Sequence, residues 1–305
     1  MSHDLAVGVD IGGSKIAAAV VDVDGRILLR EDRETPGRTT ASSVVEDVIV
    51  DAVECLRLRH AFSAVGIGAA GFVDAAGCRV MFAPHLSWRD EPLADRLSAR
   101  LSTPVVVDND ANMALWAEHR FGAAVGHSNV VMVTLGTGIG GAILIGGRPY
   151  RGFGGMAGEF GHQQVVPDGR PCECGRTGCW EQYCSGKALA RFAREAGRDL
   201  AGPALTAAAQ EHDIVARGAF TSIGRWLGVG VANVVAALDP ELVVVGGGVS
   251  TAGDLLLEPA RLALAESLVG AEHRQIPPIV NATLGPDAGV IGAAVLARSQ
   301  YEGAV

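Results

Sequence analysis

The chain has 305 residues, 49% of them hydrophobic and 19% charged, and a net charge of −9. That is a globular composition with room for two domains or one large one, and it excludes a disordered chain. An acidic balance without a Lys/Arg cluster excludes a general nucleic-acid binder, and no apolar run reaches the ~18–20 residues expected of a bilayer span. The opening MSHDLAVGVDIGG lacks the charged start, apolar stretch and small-residue cleavage site of a signal peptide. The expectation is a cytoplasmic protein whose cysteines stay reduced.

In chain order, LAVGVDIGGSKIAAAVVDVDGRILL predicts three strands separated by a glycine turn and an Asp-Gly turn. TTASSVVEDVIVDAVECLRLRH carries apolar residues at three- and four-residue intervals and predicts a helix. SAVGIGAAGFVD is a buried strand with a glycine-rich end, EPLADRLSARLS a short helix, TPVVVDND a strand ending in acids, and ANMALWAEHRFG a helix closed by Gly122. NVVMVTLGTGIGGAILIGGRPY then repeats the opening pattern, and DPELVVVGGGVS answers SAVGIGAAGFVD. Between them runs the long apolar helix IVARGAFTSIGRWLGVGVANVVAAL, and GPDAGVIGAAVLARSQ predicts a last helix. The shared order implies an α/β protein of two similar halves, a duplication of architecture more than of sequence. The expected domains are 1–108, joined by a C-terminal helix 288–305, and 109–287, which carries the cysteine loop.

Gly136, Gly138 and Gly141 satisfy G-x-G-x-x-G, but an apolar strand follows where a dinucleotide site needs a helix. The segment GGSK also lacks the P-loop spacing. The glycine turns fit phosphate better. Asp10-Ile11-Gly12-Gly13-Ser14-Lys15 and Gly136-Thr137-Gly138 offer backbone N–H donors with no side chain in the way, and Ser14 and Thr137 add hydroxyls. Two such turns facing a cleft, with Gly246-Gly247-Gly248, are more than tight hairpins.

Asp108-Asn109-Asp110 ends a strand at the expected domain boundary. A carboxylate there can take a proton from a substrate hydroxyl as phosphate arrives, and Asp110 is assigned that role. Asp108 is read as a helix cap or a solvated neighbour. Asp10, beside the first glycine turn, is a hard oxygen ligand suited to magnesium or its water shell.

Half of the six cysteines lie in one stretch, where His162, Cys172, Cys174 and Cys179 give H-x9-C-x-C-x4-C. One imidazole and three thiolates make a closed tetrahedral zinc set, which leaves no position for an activated water. Cys184 is an alternative ligand, although its five-residue step from Cys179 gives no reason to prefer it. Glu159 and Glu181 flank the site, and a clamped loop would hold both carboxylates and a ring nitrogen of His162 against the vicinal hydroxyls of a sugar.

Together DIGGSK, DNDAN, LGTGIGG, GEFGH, CECGRTGCWE and VVVGGGVS resemble the ROK family of sugar kinases and sugar-responsive repressors over nearly the whole chain. EQYCSGKAL and AGDLLLEP are most similar to its bacterial glucokinases. The resemblance implies an actin-like (ribonuclease H-like) fold of two α/β domains around a cleft, ATP and Mg2+, structural Zn2+, and transfer of the γ-phosphate to the 6-hydroxyl of glucose. By motif it makes Asp110 the catalytic base and Asn109, Glu159, His162, Glu181 and Gly71 sugar contacts. It places Asp10, Gly12, Gly13, Ser14, Lys15, Thr137, Gly138 and Gly246 to Gly248 at the nucleotide. It also implies a dimer or tetramer, with no nucleic-acid or membrane partner. Ser14 stands where threonine is usual and keeps the hydroxyl. His85 stands where similar kinases carry asparagine, near the sugar, which opens the question of sugar preference.

The alternatives are another hexose substrate, such as N-acetylmannosamine, N-acetylglucosamine or mannose, and a sugar-sensing repressor. The repressor reading expects a helix-turn-helix segment, for which the position of Asp10 leaves no room. Polyphosphate stands beside ATP as a possible donor.

Overall fold

A computed structural model describes residues 4–84 and 86–302, so His85 lies outside the described residues. The chain divides into two compact units. Within the described residues, unit 1 draws on Met1–Val125, Pro149–Ala157 and Pro286–Val305, and unit 2 on Gly126–Arg148 and Gly158–Gly285.

Unit 1 opens with β1 (Ala6–Ile11), β2 (Lys15–Val21), β3 (Ile27–Glu34), α1 (Ser42–Arg57) and β4 (Val65–Ala69). A small antiparallel sheet follows, made of β5 (Phe72–Val73), β6 (Val80–Phe82) and β7 (Arg89–Glu91). Then come α2 (Leu93–Leu101), β8 (Val105–Asn109) and α3 (Asp110–Phe121). The main sheet has the order β3-β2-β1-β4-β8, antiparallel through β1–β3 and parallel through β1-β4-β8. Its buried valines and isoleucines pack with Ile49, Val53 and Leu56 of α1 and with Trp88, Leu93 and Leu97.

The last helix, α8 (Ala288–Glu302), returns to this sheet. It approaches unusually closely. A Cβ on Gly8 would sit 1.8 Å from the Val290 carbonyl oxygen, and one on Gly66 would sit 1.9 Å from that of Ala293. Gly8 and Gly66 are register partners on β1 and β4, so the missing side chains form one groove for the helix. The far side of α8 packs on α3, with Met113, Ala293 and Leu296 in a common cluster. That packing draws α3 into unit 1, so the unit runs on to Val125 and does not break at Asn109.

Unit 2 contains β9 (Val130–Leu135), β10 (Ile139–Ile145), β11 (Arg148–Pro149), α4 (Gly186–Glu195), α5 (Gly202–Gln210), α6 (Ile214–Leu238), β12 (Leu242–Gly246), α7 (Asp254–Ser267) and β13 (Ile279–Asn281). Its sheet order is β11-β10-β9-β12-β13, with an antiparallel β9/β10 pair and parallel β9-β12-β13. This is the topology of unit 1 again.

Helix α6 departs from the expectation about apolar runs: at 25 residues it is long and apolar enough to cross a membrane by length and composition. Half of that apolar window is buried within the protein, and the helix packs chiefly on α7. Its glycines act as notches. A Cβ on Gly228 would meet the Ala260 carbonyl at 2.3 Å, and one on Gly224 would meet the ring of Pro259 at 2.6 Å. Pro259, inside α7, masks that helix in the sequence because proline ordinarily breaks helices.

Candidate active site

In unit 1 the first glycine turn joins β1 to β2. The Gly12 N–H donates to the Lys15 carbonyl at 2.9 Å, and the Thr35 hydroxyl donates to the Gly12 carbonyl at 2.8 Å. Asp10 lies across β4 from the DND segment: Asp10, Gly68 and Asp108 are register partners along β1-β4-β8. Gly68 leaves the space between the acids open, since a Cβ there would lie 3.7 Å from both Asp10 Oδ1 and Asp110 Cα. Asp10 also reaches the first turn of α8, where a Cβ on Gly289 would meet its Oδ2 at 2.6 Å.

The two acids are held partly protonated near neutral pH. Burial, and then the Asp110 charge, pushes Asp10 up to about 7 against the pull of Arg30. Burial pushes Asp110 up to about 6 against the backbone N–H groups of Ala111 and of Asp110 itself. A carboxyl near 6 is ionised at pH 7 yet basic enough to accept a proton in a transition state. Lys15 does not reach toward these acids; its ammonium pairs with Asp32 at 2.8 Å on an exposed face.

The DND segment corrects the expectation for Asp108. The cap of α3 is Asn109, whose side-chain oxygen accepts from the N–H of Ala111 at 2.8 Å and of Asn112 at 3.4 Å. Its amide nitrogen donates to the Gly71 carbonyl at 3.0 Å, so two expected sugar contacts are joined directly. Asp108 is neither cap nor solvated. It is 2% exposed and ion-paired to Arg151, a residue the sequence reading passed over because no motif marks it.

In unit 2, His162, Cys172, Cys174 and Cys179 place one ligand atom each within 4.8 Å of one another. Zinc–sulfur bonds of about 2.3 Å in a tetrahedron require ligand–ligand edges of roughly 3.6–3.8 Å. The Cys174–Cys179 sulfurs are 3.6 Å apart and Cys172 Sγ lies 3.8 Å from His162 Nδ1, so the set fits zinc. Nδ1 faces the sulfurs, which leaves Nε2 for another partner. Cys184 is fully buried and stands outside the cluster. The left-handed turns at Gly175 and Gly178 let the loop fold back on itself.

Two further contacts lock this loop. Trp180, fully buried, fills a notch where a Cβ on Gly230 of α6 would lie 2.0 Å from its ring, and its indole N–H donates to the Trp226 carbonyl at 2.7 Å. Its depth depends on a glycine fifty residues away. Glu181 then turns to the second glycine turn. Its Oε1 accepts from the Cys172 thiol at 3.1 Å, and a Cβ on Gly138 would meet its Oε2 at 2.5 Å. The Gly186 N–H donates to the Gly136 carbonyl at 2.8 Å. Gly247, at φ +81°, packs on the backbone of Leu135. The structure therefore brings Thr137, Gly138, Glu181 and Gly246–Gly248 of unit 2 into one neighbourhood. Glu159 stands at the N-cap position of the short 3-10 turn Phe160–His162 without a side-chain cap hydrogen bond, and that turn packs on the turn Trp180–Gln182.

The ROK family model matches residues 6–300. A glucokinase of Streptomyces coelicolor is 45% identical over 96% of this chain and 98% of its own. Among solved structures, a ROK family glucokinase from Streptomyces griseus in complex with glucose and AMPPNP is 46% identical, covers 97% of this chain and 99% of its own, and superposes with a TM-score of 0.88. A ROK hexokinase from Thermus thermophilus is 35% identical, covers 98% and 99%, and has a TM-score of 0.82.

Proposed function

The chain belongs to the ROK family, and from that premise we propose that it is an ATP-dependent glucokinase, forming glucose 6-phosphate. The observation that carries this reading is identity of 45–46% over nearly the full length of two glucokinases, one of them bound to glucose and AMPPNP.

In the reaction the glucose O6 attacks the γ-phosphorus of ATP, an O6–P bond forms, and the bond to the β,γ-bridging oxygen breaks. Asp110 accepts the O6 proton. Its carboxylate is held by the start of α3, which fixes its direction before substrate arrives. Asn109, Gly71, Glu159, His162 Nε2 and Glu181 bind and orient the sugar. The backbone N–H groups at Gly13, Thr137 and Gly138, with the Ser14 and Thr137 hydroxyls, receive phosphate oxygens, while Gly12, whose N–H is spent on the Lys15 carbonyl, closes the turn, and Gly246–Gly248 border the nucleotide. Asp10, a hard ligand beside the first turn, is suited to Mg2+, which when bound neutralises charge on the β- and γ-phosphates. Zn2+ held by His162, Cys172, Cys174 and Cys179 supplies geometry only, since four protein ligands saturate it. The fold is then used for placement and charge neutralisation, with no covalent intermediate on the protein.

A coupled assay across glucose, mannose, glucosamine, N-acetylglucosamine and N-acetylmannosamine, with ATP and with polyphosphate, tests the reading. Glucose with ATP is expected to give the highest kcat/KM. A higher value for an N-acetylated sugar would replace the substrate, and no turnover with any sugar would remove the function. The same reading places a homo-oligomer in the cytoplasm; light scattering on the purified protein reports its size.

A further inference from the structure

The ion pair between Arg151 and Asp108 has no part in the chemistry above, yet both of its side chains are largely buried. Asp108 has a side-chain exposure of 3% and Arg151 of 19%. Both carboxylate oxygens of Asp108 are engaged. Oδ1 accepts from the Asn109 N–H at 2.7 Å and from the Asn112 amide at 2.8 Å. Oδ2 accepts from Arg151 Nε at 2.7 Å, and Arg151 Nη2 is ion-paired to the same oxygen at 2.5 Å. Asn109 and Asn112 bracket Asp110 in sequence, and the carboxylate that holds both of them sits at the foot of α3.

A buried carboxylate without its cation leaves an uncompensated charge, which a structure relieves by moving or by admitting water. Here the parts that would move are the Asn109 N–H and the first turn of α3, and Asp110 rides on that turn. Arg151 reaches Asp108 from a distant segment, itself fastened to unit 1. The Ala157 N–H donates to the Arg151 carbonyl at 3.0 Å, and Gly155, at φ +87°, packs on the backbone of Val73–Ala75, where a Cβ would meet the Val73 oxygen at 2.1 Å.

We propose that Arg151 is a positioning residue for catalysis: by neutralising and clamping Asp108 it fixes the strand-to-helix turn that aims Asp110 at the acceptor hydroxyl. The inference rests on the reading of Asp110 as the base. The role is indirect, and a bidentate guanidinium fork suits it better than an ammonium.

The test compares Arg151→Met, Arg151→Lys, Asp108→Asn and the double variant Arg151→Met/Asp108→Asn in the full-length protein. Three quantities are measured: the single-turnover rate of phosphoryl transfer, glucose Kd by calorimetry, and melting temperature. A displacement of the base by about 1 Å costs roughly 10²-fold in rate. Arg151→Met is expected to lower the single-turnover rate by about that factor while glucose Kd changes by less than about threefold, because misplacement acts on the reacting geometry more than on ground-state binding. Arg151→Lys is expected to fall between Met and the parent. The double variant is expected to recover at least about tenfold over Arg151→Met, since a neutral amide at 108 no longer needs a cation.

A rate within about twofold of the parent in soluble, glucose-binding Arg151→Met overturns the proposal. So does a loss of melting temperature with an unchanged rate per glucose-binding site, which is the mark of a purely structural pair. Should Arg151→Met fail to fold, the double variant decides: a parent-like rate supports the clamp, and a rate still reduced about 10²-fold excludes it. Asp110→Asn is run alongside. Undiminished turnover there removes the base assignment itself, whereas normal turnover in Arg151→Met with a dead Asp110→Asn removes only the clamp.

Discussion

The two main sheets share an order, and they also share a register. Asp10 pairs with Gly68 across β1 and β4, and the equivalent positions across β9 and β12 hold Thr134 and Gly246. In the neighbouring hairpins Ile11 faces Ile16 and Leu135 faces Ile139, which aligns Lys15 with Gly138. One framework therefore carries acids in unit 1 and a hydroxyl and bare backbone in unit 2. The loops differ too. Unit 1 has a small β5-β6-β7 sheet after β4, whereas unit 2 has the thiolate loop before α4. The contrast teaches that the duplicated sheet supplies strand ends, and that the residues at those ends divide the work. On the proposed reading the base and the cation ligand, Asp110 and Asp10, belong to unit 1 and the thiolate loop to unit 2, while each unit offers a glycine turn to phosphate.

The contrast is broken most severely by removing the base. Asp110→Asn keeps the shape and the N–H acceptor at the start of α3 but cannot take a proton. Turnover is expected to fall by about 10²–10⁴-fold, the usual span for a general base, with glucose Kd within a few-fold of the parent. A coupled assay and calorimetry on the same preparation check it. Giving unit 1 the residue of unit 2, as Asp10→Thr, is expected to cost less, about 10²-fold in kcat, and to raise the Mg2+ concentration needed for half-maximal rate. Turnover with an unchanged Mg2+ requirement would mean that the acid in β1 is not what distinguishes the halves.

The unit 2 side is sharpened by dismantling the metal set. Cys174→Ser is expected to lose stoichiometric zinc, lower the melting temperature and weaken glucose binding by at least about tenfold. Structural zinc carries folding energy, and Glu181 follows the ligand Cys179 by two residues on the same loop. Elemental analysis with calorimetry checks both effects; full zinc and parent affinity would remove Cys174 from the ligand set.

The acid limb is a milder effect. With Asp110 near 6, kcat/KM is expected to fall as pH drops through about 6, where the carboxylate gains its proton. Stability moves the opposite way. The folded pKa lies above the ordinary 3.8, so the native state binds more protons than the unfolded chain between those values, and stability falls as pH rises from about 4 to about 6. Asp110→Asn is expected to flatten that slope. Melting curves across the range measure it, and an unchanged slope would assign it to other groups.

Much of this was legible in the sequence because it is local. Apolar runs bounded by glycine turns gave β1–β4 and β8 in unit 1 and β9, β10 and β12 in unit 2, and the H-x9-C-x-C-x4-C spacing gave a ligand set whose atoms lie within 4.8 Å of one another. Three features were hidden because they depend on distant partners. Asp108 reads as a cap until Arg151, 43 residues on, is seen to neutralise it. The burial of Trp180 has no local signal, because it is Gly230 that makes room for its ring. Helix α7 is masked by Pro259, which is accommodated opposite Gly224 of α6. Motif spacing names the groups that do chemistry; the groups that hold them carry no signature of their own.

Lys15 is the position where the comparison predicts least. The sequence motif places it at the nucleotide, and its counterpart Gly138 lies against Glu181 in unit 2. In unit 1 its ammonium instead pairs with Asp32, with side-chain exposures of 51% and 42%. An exposed pair of that kind contributes about 0–1 kcal/mol and weakens with salt. Asp32 also accepts from Arg30 Nε at 3.0 Å, so it keeps a cation when the lysine is removed. Lys15→Met is therefore expected to leave stability within about 1 kcal/mol and to raise the KM for ATP by less than about threefold, with the small change fading as ionic strength rises. A tenfold rise in the KM for ATP, persisting in high salt, would show that the lysine leaves Asp32 for a phosphate when nucleotide binds. The first glycine turn would then hold its ligand with a side-chain charge as well as with backbone N–H groups.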